Sequence, residues 1–319
     1  EPNPKIRNVQ AGKKMYQDEN CDSIITVGGG SAHDCGKGIG IVLTNGDDIS
    51  KLAGIETLKN PLPPLMAVNT TAGTGSELTR HAVITNEKTH LKFVVVSWRN
   101  IPLVSFNDPM LMLDIPKDIT AATGCDAFVQ AIEPYVSVDH NPITDSQCKE
   151  AIQLIQTALP EVVANGHNIE ARTKMVEAEM LAGMAFNNAN LGYVHAMAHQ
   201  LGGQYDAPHG VCCALLLTTV EEYNLIACPE RFAELAKVMG FDTTGLTLYE
   251  AAQKSIDGMR EMCRLVGIPS SIKEIGAKPE DFEMMAKNAL KDGNAFSNPR
   301  KGTVEDIVKL YQKAYDGIY

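Results

Sequence analysis

The stretch NNANLGYVHAMAHQLGGQYDAPHGV, residues 187–211, carries three of the eight histidines of this 319-residue chain. His195 and His199 are four residues apart, so on a helix their imidazoles lie one turn apart on the same face. His209 follows the pair Gly202-Gly203, which we expect to break the helix and return the chain. Converging imidazoles are typical of a divalent-metal site, and buried, hydrogen-bonded histidines without a metal are the alternative.

Helical periodicity dominates the chain around this stretch, from about residue 115 to the end. Thr303 with Asp306 three residues later has the pattern of a capped helix start, and Pro279 is expected to begin another helix. Pro134 is expected to kink or shift the helix that contains it. Further helices are predicted at 145–164, 169–187, 230–239, 247–266, 279–291 and 303–315.

The residues before about 107 have a different sequence pattern, in which short β-branched runs alternate with turns and helices. Ser31 is expected to cap the second of these helices. The change in sequence pattern predicts an α/β domain, residues 1–115, followed by an all-α domain, residues 116–319. Strands are predicted at 23–27, 64–69, 82–85, 92–96 and 103–106, and helices at 10–17 and 32–43.

Two turns rich in hydrogen-bond donors follow predicted strands in the first domain. The run Gly28-Gly29-Gly30-Ser31 lies between a strand and a helix. Glycines let an anion such as phosphate approach the backbone closely, and the N–H groups at a helix N-terminus favour its binding. Two such turns at neighbouring strand ends predict a dinucleotide that spans them, and purely structural turns are the alternative. The second turn contributes the hydroxyls of Thr70, Thr71, Thr74 and Ser76.

Composition limits the function further. A net charge of −11 argues against a nucleic-acid or anionic-membrane partner, because phosphate repels an acidic surface. The eight cysteines form no CxxC pair and indicate reduced thiols in a cytoplasmic protein. No apolar run reaches the ~20 residues that a membrane helix needs. The opening EPNPKIRNVQAG is preceded by no hydrophobic strand, so we expect an N-terminal portion to be missing.

Several motifs together resemble the iron-dependent (group III) alcohol dehydrogenases, in particular the 1,3-propanediol, methanol and lactaldehyde–propanediol enzymes. The resemblance covers nearly the whole chain and implies a Rossmann-like dinucleotide domain, without its first βαβ unit, followed by an all-helical metal domain. It implies hydride transfer between a small primary alcohol or diol and NAD, with NADP as an alternative, in a homo-oligomer between dimer and decamer. The motifs are GGGSAHDCGKG (28–38), TTAGTGSE (70–77), TAATGCDAFVQAIEPY (120–135), GMAFNNANLGYVHAMAHQLGG (183–203) and PHGV (208–211).

The resemblance also assigns roles to individual positions. It places His199 beside the substrate and the nicotinamide, where we predict a proton relay, with an orienting role as the alternative. It implies Fe²⁺, or Zn²⁺ or another divalent ion, at the metal site. The matched positions are Gly28, Gly29, Gly30, Ser31, Asp34, Thr70, Thr71, Thr74, Ser76 and Lys92 for the cofactor, and Asp126, Gln130, His195 and His209 for the metal.

Gln130 is the main departure from that family, which has a histidine four residues after the aspartate. A neutral amide oxygen is a weaker ligand than imidazole for Fe²⁺ or Zn²⁺. Two alternatives follow. Either Gln130 or water completes the metal site, or metal binding and activity are weakened. Cys213 is a smaller departure, at a position where the family commonly has asparagine.

Three other functions stay open at this stage. A dehydroquinate-synthase-like lyase would share the two-domain plan, but the run at 70–77 and the histidine spacing favour the dehydrogenase. A metal-poor descendant that binds nucleotide with little activity would account for Gln130. An oxygenase built on one aspartate and two histidines is the third, and the nucleotide-type turns argue against it.

Overall fold

Six short strands, all before residue 107, form two small sheets in the computed structural model, which describes residues 3–89 and 91–318. In the first sheet the parallel strands β1 (Ile24–Gly28) and β6 (Val104–Phe106) flank β3 (Leu65–Asn69). The register pairs Gly28 with Asn69, so the carboxyl ends of β1 and β3 meet at one edge.

The second sheet has β5 at its centre. The strand β2 (Gly54–Ile55) runs parallel to β5 (Leu91–Val96), and β4 (His81–Asn86) pairs with β5 in the antiparallel direction. The five predicted strands each lie within one residue of an observed strand at both ends, so those predictions are confirmed, whereas β2 was not predicted.

Two helices pack on these sheets, α1 (Ile6–Asp18) and α2 (Gly30–Thr44). Both contribute to a small apolar core with the second sheet, in which Val9, Ile41 and Ile84 are fully buried. The prediction that Ser31 caps α2 is wrong. The N-cap is Gly29, and the Ser31 hydroxyl lies inside the first turn, where it accepts a hydrogen bond from the Asn3 amide (3.2 Å).

After residue 116 the described chain is helical, which confirms the predicted order of an α/β part followed by an all-α part. The central helix is α7, which packs against α3, α6, α9 and α11 in one large apolar core. The predicted helix at 279–291 is a 3-10 turn followed by α10. The helices are α3 (Lys117–Val136), α4 (Pro142–Ala164), α5 (Ile169–Ala189), α6 (Tyr193–Tyr205), α7 (His209–Asn224), α8 (Pro229–Val238), α9 (Leu248–Leu265), α10 (Phe282–Ala289) and α11 (Val304–Asp316).

The predicted break at Gly202-Gly203 is wrong, because α6 runs through both glycines and ends at Tyr205. The chain turns instead at Asp206, whose φ of 51° is left-handed. Gly202 lies against a neighbouring strand, since a Cβ there would be 3.1 Å from the Lys92 Nζ. The helix α3 contains Pro134 and ends two residues after it, at Val136.

The segment His209–Ala227 is long and apolar enough to cross a membrane by composition, contrary to the sequence expectation. It comprises α7 and the short turn that follows. In the structure 72% of its apolar window is buried, as is typical of the central helix of a globular core.

The second donor-rich turn is attached directly to α5 of the helical part. The Gly75 amide donates to Glu179 Oε1 (2.6 Å), and the Arg80 amide donates to Asn187 Oδ1 (2.9 Å). Gly75 has a φ of +61°, and a Cβ there would lie 3.0 Å from the Cα of Gly183. A side chain at residue 75 would therefore force the two parts of the chain apart.

Candidate metal centre and adjoining cleft

Side chains from three helices converge at the boundary between the two parts of the chain. Asp126 comes from α3, His195 from α6, and His209 with Cys213 from α7. One potential ligand atom from each lies within 4.8 Å of all the others. The Asp126 Oδ1 is 3.5 Å from the His195 Nε2 and 3.6 Å from the His209 Nε2.

Two buried atoms of this cluster, Asp126 Oδ1 and His195 Nε2, have no hydrogen-bond partner, and the same is true of Gln130 Oε1, four residues further along α3. Buried polar atoms are nearly always bonded, and leaving one unpaired costs about 1–3 kcal/mol. A divalent cation between Asp126 and His195 would satisfy the two atoms of the cluster, which lie 3.5 Å apart, so the residues present fit a metal ion. The alternative of fully hydrogen-bonded core histidines does not account for His195.

The charge states of two of these groups suit a cation. Burial would raise the pKa of Asp126, but the imidazoles of His209 and His195 lower it below its ordinary value, so the carboxylate is ionised. Burial lowers the pKa of His209 to about 3, so its imidazole is neutral at physiological pH. An anionic oxygen and a neutral imidazole are the forms that bind metals.

Glu133 orients one of the histidines and was not identified from the sequence. Its Oε2 lies 2.5 Å from the His195 Nδ1, and its Oε1 accepts hydrogen bonds from the amides of Val194 (2.7 Å) and His195 (3.4 Å). The carboxylate therefore accepts a hydrogen bond from His195 Nδ1–H, turns the Nε2 towards Asp126 and caps the N-terminus of α6. Its position seven residues after Asp126, two turns along the same face of α3, was the available signal.

Replacing Glu133→Gln should weaken metal binding by about 10–100-fold, because an amide is a poor acceptor for the Nδ1 proton and no longer fixes the tautomer of His195. The glutamine oxygen still accepts from the α6 amides, so the thermal midpoint should change little. Competition titration with a chromophoric chelator gives the metal affinity, and circular dichroism gives the midpoint.

Two companion variants isolate this effect. Glu133→Ala removes the cap as well and should lower the free energy of unfolding by about 1–3 kcal/mol. Glu150→Gln changes an exposed glutamate on α4 and should alter neither quantity. Unchanged metal affinity in Glu133→Gln would rule out the orienting role.

A cavity of about 420 Å³ connects the metal-ligand cluster with the two donor-rich turns. Its size and mixed lining are typical of a small-molecule site. A Cβ at Gly30 would be 2.6 Å from the Thr74 Oγ1, so the glycine turn and the hydroxyl turn are in direct contact. The predicted site residues that line the cavity are Gly30, Ser31, Asp34, Thr74, Ser76, Lys92, Asp126, Gln130, His195, His199 and His209.

The other predicted cofactor residues, Gly28, Gly29, Thr70 and Thr71, do not line this cavity. They lie beside it at the ends of β1 and β3, where the Thr70 amide donates to the Gly28 carbonyl (3.0 Å). The structure thus brings the two turns together at one sheet edge, as expected for neighbouring parallel strands.

Two charged side chains on α2 fix the hydroxyl turn. Asp34 accepts from the Ser76 hydroxyl (2.6 Å) and from the Val83 amide (3.1 Å), so both of its carboxylate oxygens bond within the protein. Lys37 is fully buried and donates to the backbone carbonyls of Ser76 (2.5 Å) and Thr79 (2.9 Å). These contacts hold the Ser76 turn rigidly against the start of α2.

His199 lines the cavity one helical turn beyond His195. Its Nδ1 lies 2.8 Å from the Asp292 Oδ2. Burial would raise the pKa of Asp292, but the neighbouring His199 lowers it overall, so the carboxylate is ionised and accepts a hydrogen bond from Nδ1–H of His199. The Nε2 of His199 is then available on the cavity side.

Comparisons with known proteins match both parts of the chain. Residues 1–109 match the family described as iron-containing alcohol dehydrogenase, and residues 120–315 match the C-terminal part of the Fe-containing alcohol dehydrogenase family. The 1,3-propanediol dehydrogenase of Citrobacter freundii is 58% identical over 99% of this chain and 81% of that protein.

Two further matches agree. The NAD-dependent methanol dehydrogenase of Bacillus methanolicus is 43% identical over 98% of this chain and 82% of that protein. The solved structure of an alcohol dehydrogenase from Oenococcus oeni is 79% identical and superposes with a TM-score of 0.96, covering 99% of this chain and 82% of that one.

Proposed function

Since the chain belongs to the iron-containing alcohol dehydrogenase family, we propose that Asp126, His195 and His209 hold its divalent metal and that the adjoining cleft binds NAD. Members of this family are NAD-dependent oxidoreductases of small alcohols, and the lyase alternative finds no support among the relatives. The observation that carries the assignment is the single cavity lined both by the Ser31 and Ser76 turns and by the three ligands.

When bound, the metal would supply Lewis acidity towards an alcohol oxygen, and NAD would supply the hydride acceptor. The chain's own residues bind and orient. The backbone from Gly28 to Ser31 and the N-terminus of α2 are suited to the pyrophosphate. The hydroxyls of Thr70, Thr71, Thr74 and Ser76 and the Lys92 ammonium complete the cofactor side, and Asp34 acts by positioning Ser76.

His199 is suited to moving the proton of the substrate hydroxyl. The Asp292 carboxylate fixes its Nδ1 proton and so keeps its Nε2 free to accept a proton from the cavity side. His199 is largely buried and lines the cavity. Gln130 faces the same cavity, and its amide oxygen is a weak additional donor to the metal.

We propose a short primary alcohol or diol as the substrate, giving the aldehyde. The apolar side chains of Phe186 and Leu191 line the cavity. Among the described lining residues, the helical part contributes Lys291 as its single lysine or arginine, which disfavours a phosphorylated compound. We propose a cofactor domain up to residue 115 and a metal domain from residue 116. We further propose that the protein is a cytoplasmic homo-oligomer. All eight cysteines are free thiols in the structure, which supports a reducing environment.

The test is NADH formation by the purified chain after anaerobic loading with Fe²⁺. Oxidation of 1,3-propanediol or another short primary alcohol is expected, and His209→Ala should abolish it, because the variant lacks a ligand. His167→Ala, which changes an exposed histidine, should match the unmodified protein. Metal-independent turnover, or full activity in His209→Ala, would refute the assignment.

A further inference from the structure

We propose that Cys213 supplies a thiolate as the fourth strong ligand of the metal centre. It would replace the histidine that the family has at the position of Gln130. The centre would then consist of one carboxylate, two imidazoles and one thiolate. This inference rests on the proposed function, because it takes Asp126, His195 and His209 as metal ligands. It goes beyond that function by changing the donor set of the site.

The spacing of the four side chains fits a single small ion. Ligands at about 2.0–2.3 Å from a tetrahedral ion lie about 3.3–3.8 Å from one another. The Cys213 Sγ is 3.7 Å from the His209 Nε2, and the two imidazole Nε2 atoms are 3.5 Å and 3.6 Å from the Asp126 Oδ1. Cys213 follows His209 by four residues, so one face of α7 presents both donors.

The surroundings of Cys213 are those of a ligand. A buried cysteine usually behaves as a small apolar side chain among other apolar groups. Cys213 is fully buried, but its sulfur faces the imidazole of His209 within the polar cluster. Its neighbour Cys212 is also fully buried and is not a member of that cluster, which makes it a matched control.

Charge favours Cys213 over Gln130 as the stronger donor. A thiolate and the Asp126 carboxylate together balance a divalent cation, whereas the amide of Gln130 is neutral. Thiolate is also a ligand for which Zn²⁺ and its analogue Co²⁺ have high affinity. The loss of one imidazole and the presence of one thiol in the same cluster thus compensate each other.

Cobalt substitution of the full chain tests the proposal by spectroscopy. With one Co²⁺ bound per chain, the protein should show a sulfur-to-cobalt charge-transfer band in the near ultraviolet together with visible ligand-field bands. Cys213→Ser should lose the charge-transfer band and bind Co²⁺ more than about 10-fold more weakly, while Cys212→Ser should keep both.

Zinc-edge X-ray absorption of the unmodified protein gives a second answer that needs no variant to fold. One sulfur at about 2.3 Å from Zn²⁺ is expected. A shell of nitrogen and oxygen alone would overturn the proposal, as would a charge-transfer band that survives in Cys213→Ser.

The outcomes separate this inference from the proposed function. Bound Co²⁺ with ligand-field bands but no charge-transfer band would eliminate Cys213 and leave the Asp126, His195 and His209 assignment standing. Failure to bind Co²⁺ or Zn²⁺ at all would overturn both, because neither ligand set would then exist.

Discussion

Asp126→Asn should remove the bound metal and reduce the rate of alcohol oxidation by at least ~1,000-fold. The substitution keeps the size of the side chain but removes the anionic oxygen that faces both His195 and His209. A Lewis acid contributes several kcal/mol of transition-state stabilisation, and ~4 kcal/mol corresponds to that factor. Elemental analysis after loading and dialysis gives the metal content, and initial rates of NADH formation give kcat.

Asp118→Asn is the control for this experiment, because Asp118 is an exposed residue in the first turn of the same helix. Its metal content and kcat should equal those of the unmodified chain. Thermal midpoints of the two variants should be similar, which separates ligand loss from unfolding. Retention of stoichiometric metal in Asp126→Asn would show that the cluster does not bind the ion as proposed.

Gly210→Ala should damage the fold and the metal site together. A Cβ at Gly210 would lie 2.1 Å from the Ala122 carbonyl oxygen, so α7 would have to move away from α3. The displacement acts beside His209 and one turn before Asp126. Overpacking of this kind costs about 1–3 kcal/mol of unfolding free energy, occasionally more, and we expect metal affinity to fall as well.

Gly183→Ala is the matched substitution at another buried helical glycine. There the nearest atom outside its own helix would be 3.4 Å from the new Cβ, which is an ordinary contact. We expect a change of less than about 1 kcal/mol, because removal of a helical glycine offsets mild crowding. Urea unfolding followed by circular dichroism measures both variants, and equal stability of the two would refute the close α3–α7 contact.

Local signals in the sequence were sufficient to predict most of the fold. The strand predicted at 92–96 is observed at Leu91–Val96, because a β-branched run bounded by polar residues has few alternatives. The predicted start at Thr303 is a capping box in which Thr303 and Asp306 bond each other's backbone. Both features depend only on residues close together in the chain.

The errors arise where distant contacts override local preference. Two consecutive glycines disfavour a helix, yet α6 continues through Gly202 because that surface packs closely on Lys92 from β5. Ser31 is a good capping residue, but its hydroxyl bonds the Asn3 amide. Lys92 is more than a hundred residues from Gly202, and Asn3 is about thirty residues from Ser31. A local sequence pattern therefore cannot predict either contact.

The candidate site was predicted in part for the same reason. The spacing of His195, His199 and His209 predicted a metal site, and the resemblance added Asp126 as a candidate ligand. Glu133 was not identified, and Cys213 was noted only as a departure from the family, because the contacts of both depend on how α3, α6 and α7 cross. Helical spacing alone, seven residues from Asp126 and four from His209, was compatible with many arrangements of these helices.

The double use of Glu133 has a consequence for how the molecule acquires its ion. Because this carboxylate caps α6 and orients His195 with the protein's own atoms, the coordination pocket is built as the chain folds and requires no ion as a template. Zinc fingers behave in the opposite way, since they assemble only around their metal. Removal of the ion with a chelator should therefore leave the helices in place, and the emptied protein should take up a metal again without refolding.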